Sequence, residues 1–257
     1  MRGVITISLV TLKESVRNKL FIGLLIFIGL FLLFSIYVST LSLGTVTRFI
    51  QNTGMLGISL VCLAVSILFG LFSLYQEKDR NELYVLLNRV PRSSYLIGRF
   101  LGTSYIIALF ALFAGIGVFL VIWLFGHQLA PKVFWAVYWA VLEFSMLTAI
   151  GFLFYSMGVG FTLNSLMVLG TFVVGHSMTE GVQSFISLGR FGSETHLFLV
   201  KAIAVIFPNF DMFDFRLAIV HNEVMPLDRI GLSTLYWLLY LVALLAAGSV
   251  IMSRKDT

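Results

Sequence analysis

Charged residues are scarce in this sequence, and that scarcity indicates its class. Asp, Glu, Lys and Arg make up 11% of the 257 residues, against about 25% in soluble domains. Hydrophobic residues make up 59%, and several apolar runs exceed the roughly 20 residues that a helix needs to cross a bilayer. No polar stretch is long enough to build a soluble core of its own. The sequence therefore predicts one all-α integral membrane domain over residues 1–257.

Cysteine is almost missing as well, and the common catalytic motifs are absent. Cys62, the one cysteine, lies in an apolar run, which excludes an internal disulfide and a thiolate metal site. No two of the four histidines have the i, i+4 spacing of a helical metal site. There is no His-Glu-x-x-His, Gly-x-Ser-x-Gly or Gly-x-x-x-x-Gly-Lys-Ser/Thr sequence. We therefore expect no metal, no cofactor and no catalytic residue in this chain, and no enzyme activity by itself.

The apolar runs predict six transmembrane helices. An uncharged break at 156–164 separates the fourth span from the fifth. A mixed segment, 179–230, precedes the last span and is interpreted as two short helices packed on the outer leaflet, or as an ordinary outer loop. Pro208 and Asn209 allow a re-entrant shape there only if protein shields the backbone. The predicted spans are 20–42, 54–75, 95–125, 133–155, a fifth that ends near Met178, and 231–252.

Residues 1–19 are predicted to form an amphipathic helix at the membrane interface. Apolar residues recur at helical spacing along it: Ile5, Leu9, Leu12, Val16 and Leu20. A plain cytoplasmic lead-in to the first span is the alternative. The apolar run that follows is too long for a cleaved signal sequence, so a retained first span is expected. The charged residues of the helix, which we expect to meet lipid headgroups, are Lys13, Glu14, Arg17 and Lys19.

The distribution of basic residues predicts the orientation. With six spans and a cytoplasmic N-terminus, 11 of the 17 Lys and Arg residues fall on the inner side and 6 on the outer side, as the positive-inside rule requires. Both termini are therefore predicted to be cytoplasmic. The tryptophans agree, because an aromatic belt marks the interface and these four fall at outer ends of spans: Trp123, Trp135, Trp139 and Trp237.

The loop between the second and third spans, 76–94, concentrates the charge that the rest of the chain lacks. Residues 79–87 have helical character, with acidic residues near the start and Arg89 just after the end, as the helix dipole favours. Val90-Pro91 ends this helix because the residue before proline avoids helical geometry. The loop is interpreted as a short coupling helix, parallel to the membrane, on which a cytoplasmic protein docks. The candidate docking residues are Glu77, Lys78, Asp79, Arg80, Glu82, Leu86, Leu87, Arg89, Pro91 and Arg92.

Three segments together are similar to a known family. Ahead of the first span stand Lys13-Glu14 and Arg17-Asn18-Lys19. The charged loop contains Glu77-Lys78, Leu86-Leu87 and Pro91-Arg92-Ser93, and Gly98-Arg99 opens the third span. The third segment is Phe207-Pro208-Asn209-Phe210-Asp211 with Phe213-Asp214. The first two resemble the membrane subunits of ATP-binding-cassette (ABC) transporters of the type-2 exporter permease family. The third looks like the branch that includes the permease of the nitrous-oxide-reductase maturation system.

This resemblance implies a six-span permease in the inner membrane of the cell, paired with itself or with a similar permease. It also implies a separate ATPase subunit, which binds ATP and Mg. This subunit docks on the loop, and the loop acts as the coupling helix. Membrane lipids surround such a chain, and no nucleic acid is expected as a partner. The expected function is to couple ATP hydrolysis on the partner subunit to export of a substrate across or out of the membrane.

Glu143, in the fourth predicted span, supports a different function. An acid in hydrocarbon costs about 2.5–3.5 kcal/mol on insertion scales, and it marks an interior face, a partner or an aqueous path. An ion- or proton-coupled secondary transporter subunit, with Glu143 as the titrating group, is therefore the alternative. A membrane scaffold of an enzyme-maturation complex, without transport, is a third interpretation.

Gly98 and Gly102 add a Gly-x-x-x-Gly pattern typical of a close helix crossing.

Overall fold

The computed structural model describes residues 2–40, 46–79, 91–187, 208–220 and 227–254. Regular structure in these ranges is helical, without a strand, so the all-α prediction is confirmed to that extent. The elements are α1 (Arg2–Arg17), α2 (Lys19–Thr40), α3 (Val46–Val65), a π-helix (Ser66–Phe72), α4 (Ser73–Asp79), α5 (Arg92–Gly126), α6 (Val133–Met157), α7 (Phe161–Ser187), a 3-10 helix (Phe210–Phe213), α8 (Arg216–Val220) and α9 (Leu227–Arg254).

Several apolar helices indicate a membrane-embedded protein. Within the described residues, five are long and apolar enough to cross a bilayer: Lys19–Thr40, Thr47–Lys78, Arg92–Gly126, Val133–Met157 and Asp228–Arg254. The fifth predicted span corresponds to α7, of which the apolar segment Phe161–Ser177 has described side chains. The helix itself continues to Ser187, past the predicted end near Met178. The count of six spans therefore stays a prediction.

α6 is the central helix of the bundle. Of the residues in its apolar window, 78% are buried, against 17% in α2 and in α9. A helix that is hydrophobic all round is stable where every face has a partner, and α6 packs on α5, α7 and α9. α2 and α9 lie at the periphery with large apolar side chains exposed, as helices that face lipid do.

The two ends of the bundle follow from contacts between distant helices. Arg92, at the start of α5, donates a hydrogen bond to the carbonyl of Met252 near the end of α9 (3.1 Å). At the opposite end, α9 begins beside α6, where the Tyr138 hydroxyl lies 2.7 Å from that of Thr234. α6 therefore runs from the end marked by Tyr138 to the end marked by Arg92. Because α9 starts again at the Tyr138 end, the chain crosses back between α6 and α9. α7 begins that return.

α1 crosses α5 at two glycines. A Cβ on Gly98 would lie 2.9 Å from the carbonyl oxygen of Val4, and one on Gly102 would lie 2.9 Å from that of Ser8. Backbones approach this closely only where the side chain is absent. The close crossing predicted from Gly98 and Gly102 is therefore confirmed, and its partner is α1.

The helix predicted for residues 1–19 is confirmed over Arg2–Arg17. Its contact face is small and polar rather than apolar, because Ser8, Thr11 and Ser15 are buried there together with Ile7. Its interfacial location stays a prediction. The predicted apolar stripe is divided: Ile5, Leu9 and Val16 have exposed side chains, whereas Leu12 and Leu20 are partly buried and pack against the core.

The second span, Thr47–Lys78, is interrupted by the seven-residue π-helix Ser66–Phe72. The Ser66 hydroxyl lies 2.8 Å from the hydroxyl of Thr148 on α6, and a Cβ on Gly70 would lie 3.1 Å from Cγ2 of the same threonine. A π turn holds more residues than an α turn, so it rotates everything that follows it. The direction in which α4 presents its side chains therefore depends on this segment.

The uncharged break predicted at 156–164 is confirmed as a tight turn. α6 ends at Met157, and Gly158 follows with φ of 88°, a conformation that glycine adopts without steric cost. Tyr75 on α4 donates its hydroxyl hydrogen to the carbonyl of Val159 (2.6 Å). Asn164 on α7 donates to the Tyr75 hydroxyl (2.9 Å). The turn between α6 and α7 is therefore fixed to the second span by the hydrogen bonds of Tyr75.

Candidate functional site

The predicted docking loop is described only at its two flanks. Glu77 and Lys78 lie near the end of α4, and Pro91 and Arg92 begin α5. Asp79 is the last residue of α4, and its side chain lies outside the described residues. The remaining predicted docking residues, which also lie outside them, are Arg80, Glu82, Leu86, Leu87 and Arg89.

The two flanks of the loop are joined by a buried ion pair. Arg99, in the second turn of α5, pairs through Nη2 with Oε1 of Glu77, and the two side chains are only 5% and 10% exposed. Tyr95, one turn before Arg99, donates its hydroxyl hydrogen to Oε2 of Glu77 at 2.5 Å. Both oxygens of the carboxylate therefore have partners, which a buried charge needs in order to be tolerated.

The same arginine reaches the N-terminal helix. Its Nη1 donates to the hydroxyl of Thr11 at 2.9 Å and lies 3.2 Å from Oε2 of Glu14. The Glu14 side chain is 57% exposed, so water weakens this ion pair more than the buried one. Arg99 thus connects α1, α4 and α5 at the end of the bundle where the loop begins. We call Arg99, Glu77, Tyr95, Thr11 and Glu14 the arginine cluster.

The other predicted residues of the N-terminal helix stay at the surface. Lys13, Arg17 and Lys19 are exposed, and none forms an ion pair with another described residue. Only Glu14 of the predicted charged set joins the arginine cluster.

The predictions included Glu77 and Glu14 but missed the residue that joins them. Arg99 had been assigned only to a motif at the start of the third span. One sequence signal was available, since Tyr95 and Arg99 stand at i and i+4 and so share a helix face. Glu77 gave no comparable signal because the π-helix before it changes the register of its helix.

Glu143 forms a second polar site, inside the bundle. It is buried near the middle of α6, and its Oε1 lies 3.2 Å from Nε2 of His176 on α7. A cavity of about 20 Å³ borders Glu143 and Arg216, which is room for one water molecule. Of the alternatives for Glu143, the structure therefore shows an interior position, and its neighbour is a histidine.

A segment from the predicted outer region covers this second site. The ring of Phe210, fully buried, stacks on His176 with centroids 5.6 Å apart, and Phe215 stacks on Trp139 at 4.0 Å. The backbone N–H of Asn209 donates to the hydroxyl of Tyr236 on α9 (3.0 Å). Residues 208–220 therefore pack among the helices, as the re-entrant interpretation of this segment requires.

Arg216 completes this region from α8. Its Nε lies 3.4 Å from Oδ1 of Asp214, and both residues are partly accessible. In the parts of the chain that the structure describes, no group of three His, Cys, Asp or Glu side chains is close enough to hold a metal ion. Glu143 and Arg216 border the small cavity, and the imidazole of His176 lies next to Glu143. This arrangement is suited to holding a proton or a water molecule rather than a large ligand.

Comparison with known proteins adds no assignment: no protein-family model and no curated protein matches this chain.

Proposed function

We propose that this chain is the membrane-spanning subunit of an ATP-driven exporter of the ABC type. The arginine cluster is the observation that supports it. A loop between two spans transmits a push only if its flanks are mechanically connected to other helices, and Arg99 connects both flanks to α1. A partner that docks on 76–94 therefore acts on three helices together.

The mechanism is a shift between two arrangements of the helices. Closure of a partner ATPase pair on ATP moves the loop, and the arginine cluster transfers that displacement to α1 and the third span. The partner carries the ATP and Mg, and this chain contributes the docking residues named above. We place the chain in the inner membrane of the cell with both termini cytoplasmic, as a homodimer or paired with a similar permease.

The first test is affinity purification of the tagged full chain in mild detergent, followed by mass spectrometry of the proteins that accompany it. The test variant exchanges two charges in the loop, Arg80→Glu with Glu82→Arg. The matched control exchanges two exposed neighbours at the start of α9, Asp228→Arg with Arg229→Glu. We expect a partner with a phosphate-loop motif to accompany the unaltered chain and the control, but not the loop variant.

Two results contradict the exporter. In one, the chain purifies alone; in the other, the partner stays bound to the loop variant as well as to the control. Co-purification of an enzyme without any dependence on nucleotide favours a membrane scaffold of an enzyme complex instead.

A second candidate function, proton-coupled transport, is supported by the pair of Glu143 and His176. A buried acid next to an imidazole is a proton-carrying arrangement that a purely structural bundle does not need. The test is proton uptake into liposomes that contain the purified chain, followed with a pH-sensitive dye under an imposed gradient without ATP. Uptake that Glu143→Gln abolishes and the exposed control Asp228→Asn preserves supports this function. Equal rates with empty liposomes exclude it.

A further inference from the structure

A large polar cavity lies beside the arginine cluster, and no function proposed above uses it. Its volume is about 700 Å³, within the range of small-ligand sites. α1 forms one wall through Lys13, Glu14 and Arg17, and the second span and α5 form the other through Gln76, Glu77 and Arg99.

The charges of this cavity leave an excess of positive charge on the α1 wall. The guanidinium of Arg99 already faces two carboxylates, Glu77 and Glu14. Lys13 and Arg17 are exposed and have no ion-pair partner among the described residues. They stand at i and i+4 on one helix face, so both reach the same ligand. A single anionic group at the α1 wall meets two cations that no described residue neutralises.

The start of α2 lies at the same wall. Asn18, which lines the cavity, caps α2 by accepting a hydrogen bond from the backbone N–H of Leu20 at 3.1 Å. The N-terminus of a helix carries partial positive charge. This adds to the cations of α1, so the cavity favours an oxygen-rich anion over a neutral ligand.

An apolar face of α1 adjoins Lys13 and Arg17, because Leu9 precedes Lys13 by one helical turn, and it indicates where such an anion comes from. Ile5, Leu9 and Val16 are exposed on that face, and large apolar side chains on a charged helix are typical of one lying at the headgroup level of a membrane. The cavity and an apolar surface suited to acyl chains therefore belong to the same short helix. A phospholipid satisfies both, with its phosphate in the cavity and its chains along the apolar face.

We propose that this cavity binds a phosphate group, presented by a phospholipid headgroup, with Lys13 and Arg17 as its ligands. The phosphate oxygens accept hydrogen bonds from the ammonium and the guanidinium, and the Asn18 and Gln76 amides face the rest of the headgroup. A bound lipid at this place touches α1 and the arginine cluster together. The proposal does not depend on a partner ATPase or on the exporter function.

The test is native mass spectrometry of the purified full chain, titrated in separate arms with short-chain phosphatidylglycerol and with inorganic phosphate. Lys13→Gln with Arg17→Gln removes the two cations, and each single variant is measured as well. Lys19→Gln is the matched control because Lys19 is equally exposed but does not line the cavity. Each variant is first checked for a monodisperse elution profile.

We expect one lipid per chain to bind the unaltered protein and the Lys19 control alike. The double variant should bind it at least about tenfold more weakly, since each basic residue contributes on the order of 1 kcal/mol to anionic-lipid binding. Competition by millimolar inorganic phosphate identifies a site for the phosphate group alone, and its failure identifies the whole lipid as the ligand. Equal affinities of the double variant and the Lys19 control overturn the proposal; if the double variant does not fold, unchanged binding by both single variants overturns it.

Discussion

Arg99 on α5 and Glu77 on α4 form an ion pair that is buried on both sides, at the end of the bundle where the charged loop begins. The second and third spans are adjacent in sequence but separated by that loop. The pair therefore fixes their relative position independently of the residues that connect them, and through Thr11 and Glu14 it extends to the first helix of the chain.

The first prediction concerns this ion pair. Arg99→Met leaves Glu77 buried without its cation, and removing one member of a buried pair costs about 3–5 kcal/mol. Replacing both residues, Glu77→Met with Arg99→Met, removes the uncompensated charge and should restore most of that loss. The measurement is thermal unfolding in detergent followed by tryptophan fluorescence. If the losses of the two single variants simply add in the double variant, the residues are not coupled.

The second prediction concerns the crossing of α1 and α5. A Cβ at Gly102 would lie 2.6 Å from Cβ of Thr11 and 2.9 Å from the carbonyl oxygen of Ser8, and the backbone oxygen cannot move aside cheaply. We expect Gly102→Ala to destabilise the protein by about 1–3 kcal/mol, although alanine favours a helix. Gly23→Ala is the control, because a Cβ there meets no atom within 4 Å. Equal melting temperatures for the two variants would show that the crossing is looser than described.

The third prediction concerns the segment that covers Glu143 and His176. A Cβ on Gly175 would meet the ring of Phe210 and would lie 2.8 Å from the carbonyl oxygen of Pro208. Gly175→Ala should therefore loosen residues 208–213. We expect their backbone amides to exchange hydrogen roughly tenfold faster, as measured by mass spectrometry of the exchanged peptides. Gly170→Ala, on the same helix with open space around it, should leave the exchange rates unchanged.

The fourth prediction concerns the turn between α6 and α7. Tyr75→Phe keeps the ring but removes the hydroxyl that donates to Val159 and accepts from Asn164. Leaving the buried Asn164 amide and the partly buried Val159 carbonyl without this partner should cost about 1–3 kcal/mol in unfolding free energy. Tyr105→Phe, at an exposed position, should cost almost nothing. A Tyr75 variant as stable as the Tyr105 variant would mean that the turn does not depend on this hydroxyl.

Much of the candidate site was accessible from the sequence because rare charges in an apolar chain are conspicuous. The sequence singles out Glu143 as an acid that needs an interior face, a partner or an aqueous path, and it places Glu14 and Glu77 in functional segments. Their partners were not predicted, because Arg99, His176 and Arg216 come from distant parts of the chain. Pairing over such distances depends on how helices cross, and a single sequence does not encode that in any periodic pattern.

Sequence by itself determined the membrane class, the all-helical architecture, the break after α6 and the close crossing at Gly98 and Gly102. Each of these depends on local physics: the length of an apolar run, or the absence of a side chain. Only the tertiary structure decided that α1 is the partner of that crossing, that its polar face packs inward, and that Arg99 joins three helices. The reason is that these contacts join residues far apart in the chain, so that no local pattern specifies them. The π-helix at Ser66–Phe72 adds to this, because it changes the register of the second span before Glu77.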